Sequence, residues 1–208
     1  MAIKPAARAP ARPFSRPAPD EALQALDTLL RYIGEDPSRE GLRDTPARVL
    51  RAWGEYFSGY AADPEDELTR TFEDIEGYDD MVVVRDIDFH SHCEHHMVPI
   101  LGKAHVGYWP ESKVVGISKL ARVVDIHARR LTSQETMTAR IARSIDRALS
   151  PKGVAIVIRA THFCMSTRGV NKPEASTVTS CFTGIFRDEP DIRPVSYTHL
   201  TLPTNREV

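Results

Sequence analysis

Cysteine is scarce in this chain, with Cys93, Cys164 and Cys181 the only three in 208 residues. An odd count that small closes no disulfide framework, so a reducing, cytoplasmic setting is expected. Long apolar runs are missing as well. No stretch approaches the roughly 18 residues of a membrane span, and the N-terminus lacks a compact hydrophobic signal core, so no membrane partner is expected. Neither sign of charge dominates: 27 basic and 29 acidic residues leave a formal net charge of -2. That balance gives no global affinity for nucleic acid or lipid, and any attraction for an anion must be local. A P-loop and a GxGxxG fingerprint are both lacking, so a nucleotide site has to be built from scattered side chains and helix ends.

Hydrophobic content of 41% is enough to bury a core without disulfide or metal, and one or two domains are expected. The opening MAIKPAARAPARPFSRPAP carries Lys4, Arg8, Arg12 and Arg16, no acidic residue and five prolines, which defeat a continuous helix. Residues 1–19 are therefore expected to be a disordered tail. Over residues 20–80 a helical region is expected. Leu23, Leu26, Leu29, Leu30 and Ile33 recur at helical spacing and predict a first helix with one buried face. TPARVLRAWGEYFSG predicts a second, with Thr45 capping, Pro46 at the first helical position, Val49, Trp53, Tyr56 and Phe57 on one face, and Gly59 closing it. The acidic stretch from Asp63 to Asp80 reads mainly as a surface connection.

Residues 81–190 change character. MVVVRDIDF and GKAHVGYWP read as strands, with Pro110-Glu111-Ser112-Lys113 as a turn. Ser118 is placed to cap a helix running through Arg130. A second helix is expected from Ser133 to Leu149, with Met137, Ile141 and Ile145 inward and Ser150-Pro151-Lys152-Gly153 as its stop. VAIVIRA and TVTSCFTGIF read as two more strands. Two strands, two helices and two strands after a helical region make an α+β chain.

The stretch SHCEHHMV concentrates one cysteine, one glutamate and three histidines between His92 and His96. Cys93 and His96 are three apart, so one tight turn points both the same way. Cys164 follows the VAIVIRA strand as the first pair follows MVVVRDIDF, so pairing of those strands brings the three together. Two thiolates and an imidazole suit zinc and leave a fourth position for water, whose pKa falls from about 15.7 to about 7 on zinc. A closed structural site needs one more ligand, from His92, His95 or His162. The alternative is a hydrogen-bonded polar cluster with no metal. Cys181, among alternating strand residues, reads as core packing. His95 and His162 adjoin the candidate ligands and suit proton exchange near neutral pH, although His95 fits a structural place in the sheet equally. His90, His92, His105 and His127 read as surface or structural residues. Glu94 either orients an imidazole or faces solvent.

KLARVVDIHARRLTSQETMTARIARSIDR is locally basic, and Ser118, Lys119 and Arg122 stand at a helix start where the N–H groups, the dipole and two cations converge on an anion. The alternative is a solvated basic face. Arg168, followed by Gly169, and Arg48 are further cations whose roles spacing does not reveal. Thr132-Ser133-Gln134-Glu135 fits a capping box, yet the Glu135 carboxylate also suits the two N–H donors of a guanine ring.

Taken together, DTPARV, VVVRDIDFHSHCEHHMVPILGKAHVGY, VVGISKLARVVDIHARRLTSQE and THFCMSTRGV followed by TVTS resemble GTP cyclohydrolase I, over roughly residues 22 to 190. The resemblance implies a zinc enzyme that converts GTP to 7,8-dihydroneopterin triphosphate and formate. It implies a tunnelling fold (T-fold), an antiparallel sheet with paired helices that joins its neighbours into a barrel, and a homo-oligomer, a decamer of two pentamers with active sites between subunits. Zinc ligands are then expected at Cys93, His96 and Cys164, and proton-transfer histidines at His95 and His162. The guanine-binding carboxylate falls on Glu135 with Gln134 beside it, and the phosphate-binding positions fall on Ser118, Lys119, Arg122, Arg168 and Arg48. Hydration at C8 of guanine, ring opening with loss of formate, an Amadori-type rearrangement and closure of the dihydropterin ring complete the implied reaction. The ending VSYTHLTLPTNREV departs from the acidic/basic terminal helix of the family. Pro194 and Pro203 flank β-branched Val195, Thr198 and Thr201, so residues 191–208 are expected to be an atypical, non-helical tail without site residues.

Overall fold

The computed structural model describes residues 17–72, 78, 80–189 and 192. They fall into two compact units, one ending at Gly54 and the other beginning at Glu55. The expected disordered tail, up to residue 16, and the ending VSYTHLTLPTNREV lie outside the described residues, as do residues 73–77 and 79 of the acidic connection.

The first unit holds α1 (Pro19–Tyr32) and most of α2 (Thr45–Tyr56). Pro19 begins α1 where its missing N–H is harmless, and Asp20 and Glu21 complement the positive end of the helix dipole. The expected buried face is corrected: no residue of α1 is buried, and Leu29 and Ile33 are 54% and 69% exposed. Amphipathic spacing specifies which face a partner would cover, not that the chain itself supplies the cover. Thr45 does not cap α2 either. A turn in which Thr45 N donates to Leu42 O carries the chain into the helix early, and the Thr45 hydroxyl donates back to Gly41 O at 3.5 Å.

In the second unit a 3₁₀ turn (Ser58–Ala61) and α3 (Pro64–Glu67) precede β1 (Thr71–Phe72) and the long strands β2 (Val82–Cys93) and β3 (Pro99–Trp109). After β4 (Val114–Val115) come α4 (Ile117–Ala128), β5 (Leu131–Thr132) and α5 (Gln134–Leu149). The chain continues through β6 (Gly153–His162), α6 (Phe163–Ser166), β7 (Thr177–Phe182) and α7 (Ile185–Asp188). The main sheet runs β5-β2-β3-β6-β7, antiparallel except where β5 joins β2. The long elements thus follow the β-β-α-α-β-β order of a T-fold.

Period-two alternation along β3 turns Ile100, Ala104, Val106 and Tyr108 inward, all fully buried, and leaves Leu101 and Lys103 on the other face. The inward set meets Leu120, Val123 and Val124 of α4 and Met137, Ile141 and Ile145 of α5 in one core. Behind the sheet, Ala155 and Val157 pack with Phe186 of α7 in a second, smaller cluster. The TVTSCFTGIF strand accordingly ends at Phe182. Gly184 turns there with φ +53, and the last residues coil into α7 instead of extending.

Helix boundaries place the functional side chains. Gly116, not Ser118, precedes α4, so Ser118 is already inside its first turn. The Ser133 hydroxyl caps α5 by accepting from Thr136 N at 3.2 Å, and Ser150 ends the helix in the left-handed region at φ 47. The acidic stretch is more than a connection: Asp63 caps α3, and Leu68 is 1% exposed in the core.

Gly59 lies against the end of α4, where an added Cβ would run into Ile126 O and sit 2.8 Å from Arg129 O. Gly59→Ala is expected to destabilise the fold by about 1–3 kcal/mol, seen as a lower thermal midpoint, and an unchanged midpoint contradicts this packing. His127, buried between α4 and α5 with Nε2 2.9 Å from Ser144 Oγ, has its pKa lowered from 6.5 to about 3 by burial, then by Arg130 and Arg140. Between those values the unfolded chain binds a proton that the folded chain refuses. Stability therefore falls as pH drops from 6.5 toward 3, by at most about 1.4 kcal/mol per pH unit. His127→Gln should flatten that acid limb in urea unfolding at fixed protein concentration. An identical slope contradicts the assignment.

Candidate metal centre

Cys93 is the last residue of β2, and the chain reverses at once. Cys93 N donates to Val98 O at 2.9 Å, Met97 N donates to Cys93 O at 2.8 Å, and Met97 takes a positive φ of 55°. Glu94 N donates to Thr132 O at 3.2 Å and ties the turn to the entrance of α5. This turn swings His96 back over Cys93, with Nδ1 3.9 Å from Cys93 Sγ. On the neighbouring strand Ile100 pairs with His162, so Cys164 in the first turn after β6 arrives at the same end of the sheet. The donor atoms of Cys93, His96 and Cys164 all lie within 4.8 Å of one another, and among the described residues they are the one such group.

The chemistry of this set fits zinc. Two sulfurs and an imidazole are borderline-soft donors, and tetrahedral zinc bonds of about 2.0–2.3 Å keep ligand atoms roughly 3.3–3.8 Å apart, against 3.9 Å between Cys93 Sγ and His96 Nδ1 and no more than 4.8 Å across the trio. Burial raises the pKa of Cys164, and the adjacent Cys93 sulfur raises it further. Two neighbouring thiolates oppose each other, and a divalent cation between them removes that opposition.

His92, adjacent to the trio, faces the other way, its ring 5.0 Å from that of Tyr56 and 5.1 Å from that of Phe57. Burial lowers its pKa and favours the neutral ring. His95 is exposed, with Nδ1 3.7 Å from Cys93 Sγ and Nε2 3.9 Å from Glu94. The structure thus joins His95 to the trio and sets Glu94 beside its ring. His162 is half-buried, its Nε2 2.7 Å from Gln134 Oε1. Burial lowers the pKa of His162, and the nearby Glu135 carboxylate partly opposes that shift.

With Ser133 as the cap of α5, Thr136 and not Glu135 is the third helical residue, the one a capping box would use, and Glu135 stands exposed at the helix start. Gln134, by contrast, is fully buried and spends its amide inside the protein. Arg168 joins the metal trio, NH1 donating to His96 Nε2 at 3.0 Å. Lys119 and Arg122 do meet on one face, but around Glu67, whose Oε2 lies 2.8 Å from Lys119 Nζ and 3.3 Å from Arg122 NH1. Ser118 is exposed beside them. Arg48 pairs at 3.3 Å with Asp44, the residue just before its helix. Sequence reasoning missed Glu67, which lay in a run of like charges, and the anchorage of Gln134, which rests on backbone carbonyls of β6 and β7.

The sequence model of a family described as GTP cyclohydrolase I matches residues 22–200. The chain is 58% identical over 175 residues to the GTP cyclohydrolase 1 of Sinorhizobium fredii (strain NBRC 101917 / NGR234), covering 84% of this chain and 85% of that one. It is 57% identical over 180 residues to the GTP cyclohydrolase 1 of Brucella suis (strain ATCC 23445 / NCTC 10510), covering 86% and 84%. The Brucella abortus (strain S19) protein of the same name matches at 57% over 180 residues, covering 86% and 84%.

Cys164→Ala removes one of three donors and leaves its neighbours unable to hold the ion through dialysis. Metal analysis should fall from about one zinc per chain to under about a tenth. Full zinc content in the variant contradicts the ligand set.

Proposed function

The chain belongs to the GTP cyclohydrolase I family, and on that premise we propose how its residues turn GTP into 7,8-dihydroneopterin triphosphate and formate. The observation that carries the reading is the meeting of Cys93, His96 and Cys164 at one end of the sheet, with His95 and His162 beside them. When bound by the trio, zinc supplies Lewis acidity, which brings the pKa of water from about 15.7 to about 7.

The chain's own residues do the rest. Glu135, exposed and free of capping duty, accepts the two N–H groups on the pyrimidine edge of guanine, a match that lysine or arginine could not make. Ser118, Lys119, Arg122 and Arg168, with Arg48 as a further family position, hold the triphosphate without cleaving it. Glu67 pairs with Lys119 and Arg122, so a triphosphate has to compete with that carboxylate for the two cations. Hydration at C8 opens the imidazole ring to a formamide, a second water cleaves that formamide to release formate, and one water is lost when the dihydropterin ring closes. His162 and His95 carry protons in these steps, with His162 serving the sugar side through the Amadori-type rearrangement that allows the dihydropterin ring to close. Catalysis rests on positioning and charge around carbon–nitrogen bonds rather than on phosphoryl transfer.

The catalytic T-fold is assigned to residues 81–190. The protein associates with copies of itself, and the arrangement proposed is a decamer of two pentamers with sites between subunits. Two free sheet edges support this: among the described residues β7 pairs only with β6, and β5 covers β2 only at His92 and Cys93. A cytoplasmic location is proposed, and no helix among the described residues is long and apolar enough to cross a membrane.

Zinc-replete protein incubated with GTP should release formate and give a pterin-type fluorescent product after oxidation. Bound zinc with intact GTP and neither product contradicts the activity. Glu135→Ala should lower kcat/KM for GTP by about 100-fold or more, because the base loses the partner of two donors. Wild-type kcat/KM in that variant removes Glu135 from base recognition.

A further inference from the structure

Gln134 is the first residue of α5 and is fully buried, yet both polar atoms of its side chain are engaged. Its Nε2 faces three acceptors: Ile158 O at 3.2 Å, Thr177 O at 3.1 Å and Thr179 Oγ1 at 3.0 Å. Two of these are backbone carbonyls, which only accept. The third is fixed by a relay. The Thr138 hydroxyl donates to Gln134 O at 2.7 Å, so the Thr179 hydroxyl, 2.7 Å from Thr138 Oγ1, spends its proton on Thr138 and accepts from the Gln134 amide.

Reversing the amide would set its oxygen against two carbonyls in a buried place, leaving all three without a proton between them. The orientation found here is therefore the one that aims both amide protons at acceptors. It turns Oε1 toward His162 Nε2 at 2.7 Å, and an amide oxygen has no proton to give. The hydrogen of that bond has to come from the imidazole.

We propose that Gln134 is a positioning residue that fixes His162 as the Nε2–H tautomer, so that Nδ1 is the ring atom that exchanges protons with substrate. The inference rests on the reading of His162 as a proton carrier and adds which nitrogen acts and what selects it. It also gives Gln134 a duty other than touching substrate. The anchor joins the start of α5 to β6 and β7, so the sheet that delivers Cys164 also sets the ring's tautomer.

Neutron diffraction from deuterated, zinc-loaded full-length protein reads the proton directly. The expected map has a deuteron on His162 Nε2 aimed at Gln134 Oε1, with both amide deuterons pointing toward the Ile158, Thr177 and Thr179 acceptors. An Nε2 without a deuteron, or an amide whose ND2 group faces His162, overturns the proposal. Neither result depends on turnover, so the tautomer can fail while formate release stands, and formate release can fail while the tautomer stands. In Gln134→Met, of similar volume without polar atoms, kcat should fall by about 10- to 100-fold with KM for GTP within about threefold of wild type. An unchanged kcat, or a loss confined to KM, overturns the positioning role. Should that variant not fold, the map of the unaltered protein decides the matter.

Discussion

Two sulfur atoms placed side by side are the constraint on which this molecule turns. Cys93 ends one strand and Cys164 follows another, and the backbone ladder through β3 leaves them no other place to be. Burial and the neighbouring sulfur both resist ionisation of Cys164, so the pair is poorly matched to water or to each other and well matched to a divalent cation. His96, swung over by the Met97 turn, makes the donor set asymmetric, with three protein atoms and no fourth among the described residues. An open position of that kind distinguishes metal sites that perform chemistry from those that only staple a fold.

The rest of the structure serves that end of the sheet. Buried residues of α4 and α5 form a rigid base under the strands, and the start of α5 contributes twice in succession. Gln134 turns inward and is consumed by the sheet, while Glu135 turns outward and keeps its carboxylate available. One residue of helical rotation thus divides a buried anchor from an exposed carboxylate. Charge is managed in the same way: Lys119 and Arg122 are held by Glu67, so the cations are oriented and partly neutralised.

Much of this was legible in the sequence, for reasons that differ from residue to residue. The α4 and α5 cores follow from 3.6-residue spacing, and β3 from strict alternation, because periodicity reports burial directly. Cys93, His96 and Cys164 were recoverable because soft donors are rare in this chain and each sits just past a strand. What stayed hidden depends on partners that spacing does not encode. A two-residue shift in the start of α4 moved Ser118 from the cap into the helix, and Thr136 took the place that Glu135 fits equally well on pattern. The apolar stripe of α1 was visible, but its exposure was not, since a pattern cannot say whether a covering surface lies in the same chain. Gln134 was expected beside the substrate, but its anchorage, like the pairing of Glu67, is fixed by backbone carbonyls and cations many residues away.

Cys93, His96 and Cys164 would hold one ion through three protein atoms and leave it a place for a small oxygen ligand. X-ray absorption at the zinc edge of the loaded protein tests this most directly. The prediction is two sulfurs at about 2.3 Å, one nitrogen at about 2.0 Å and one further light atom that exchanges with added ligands. A shell of four protein donors, or one with fewer than two sulfurs, would contradict it.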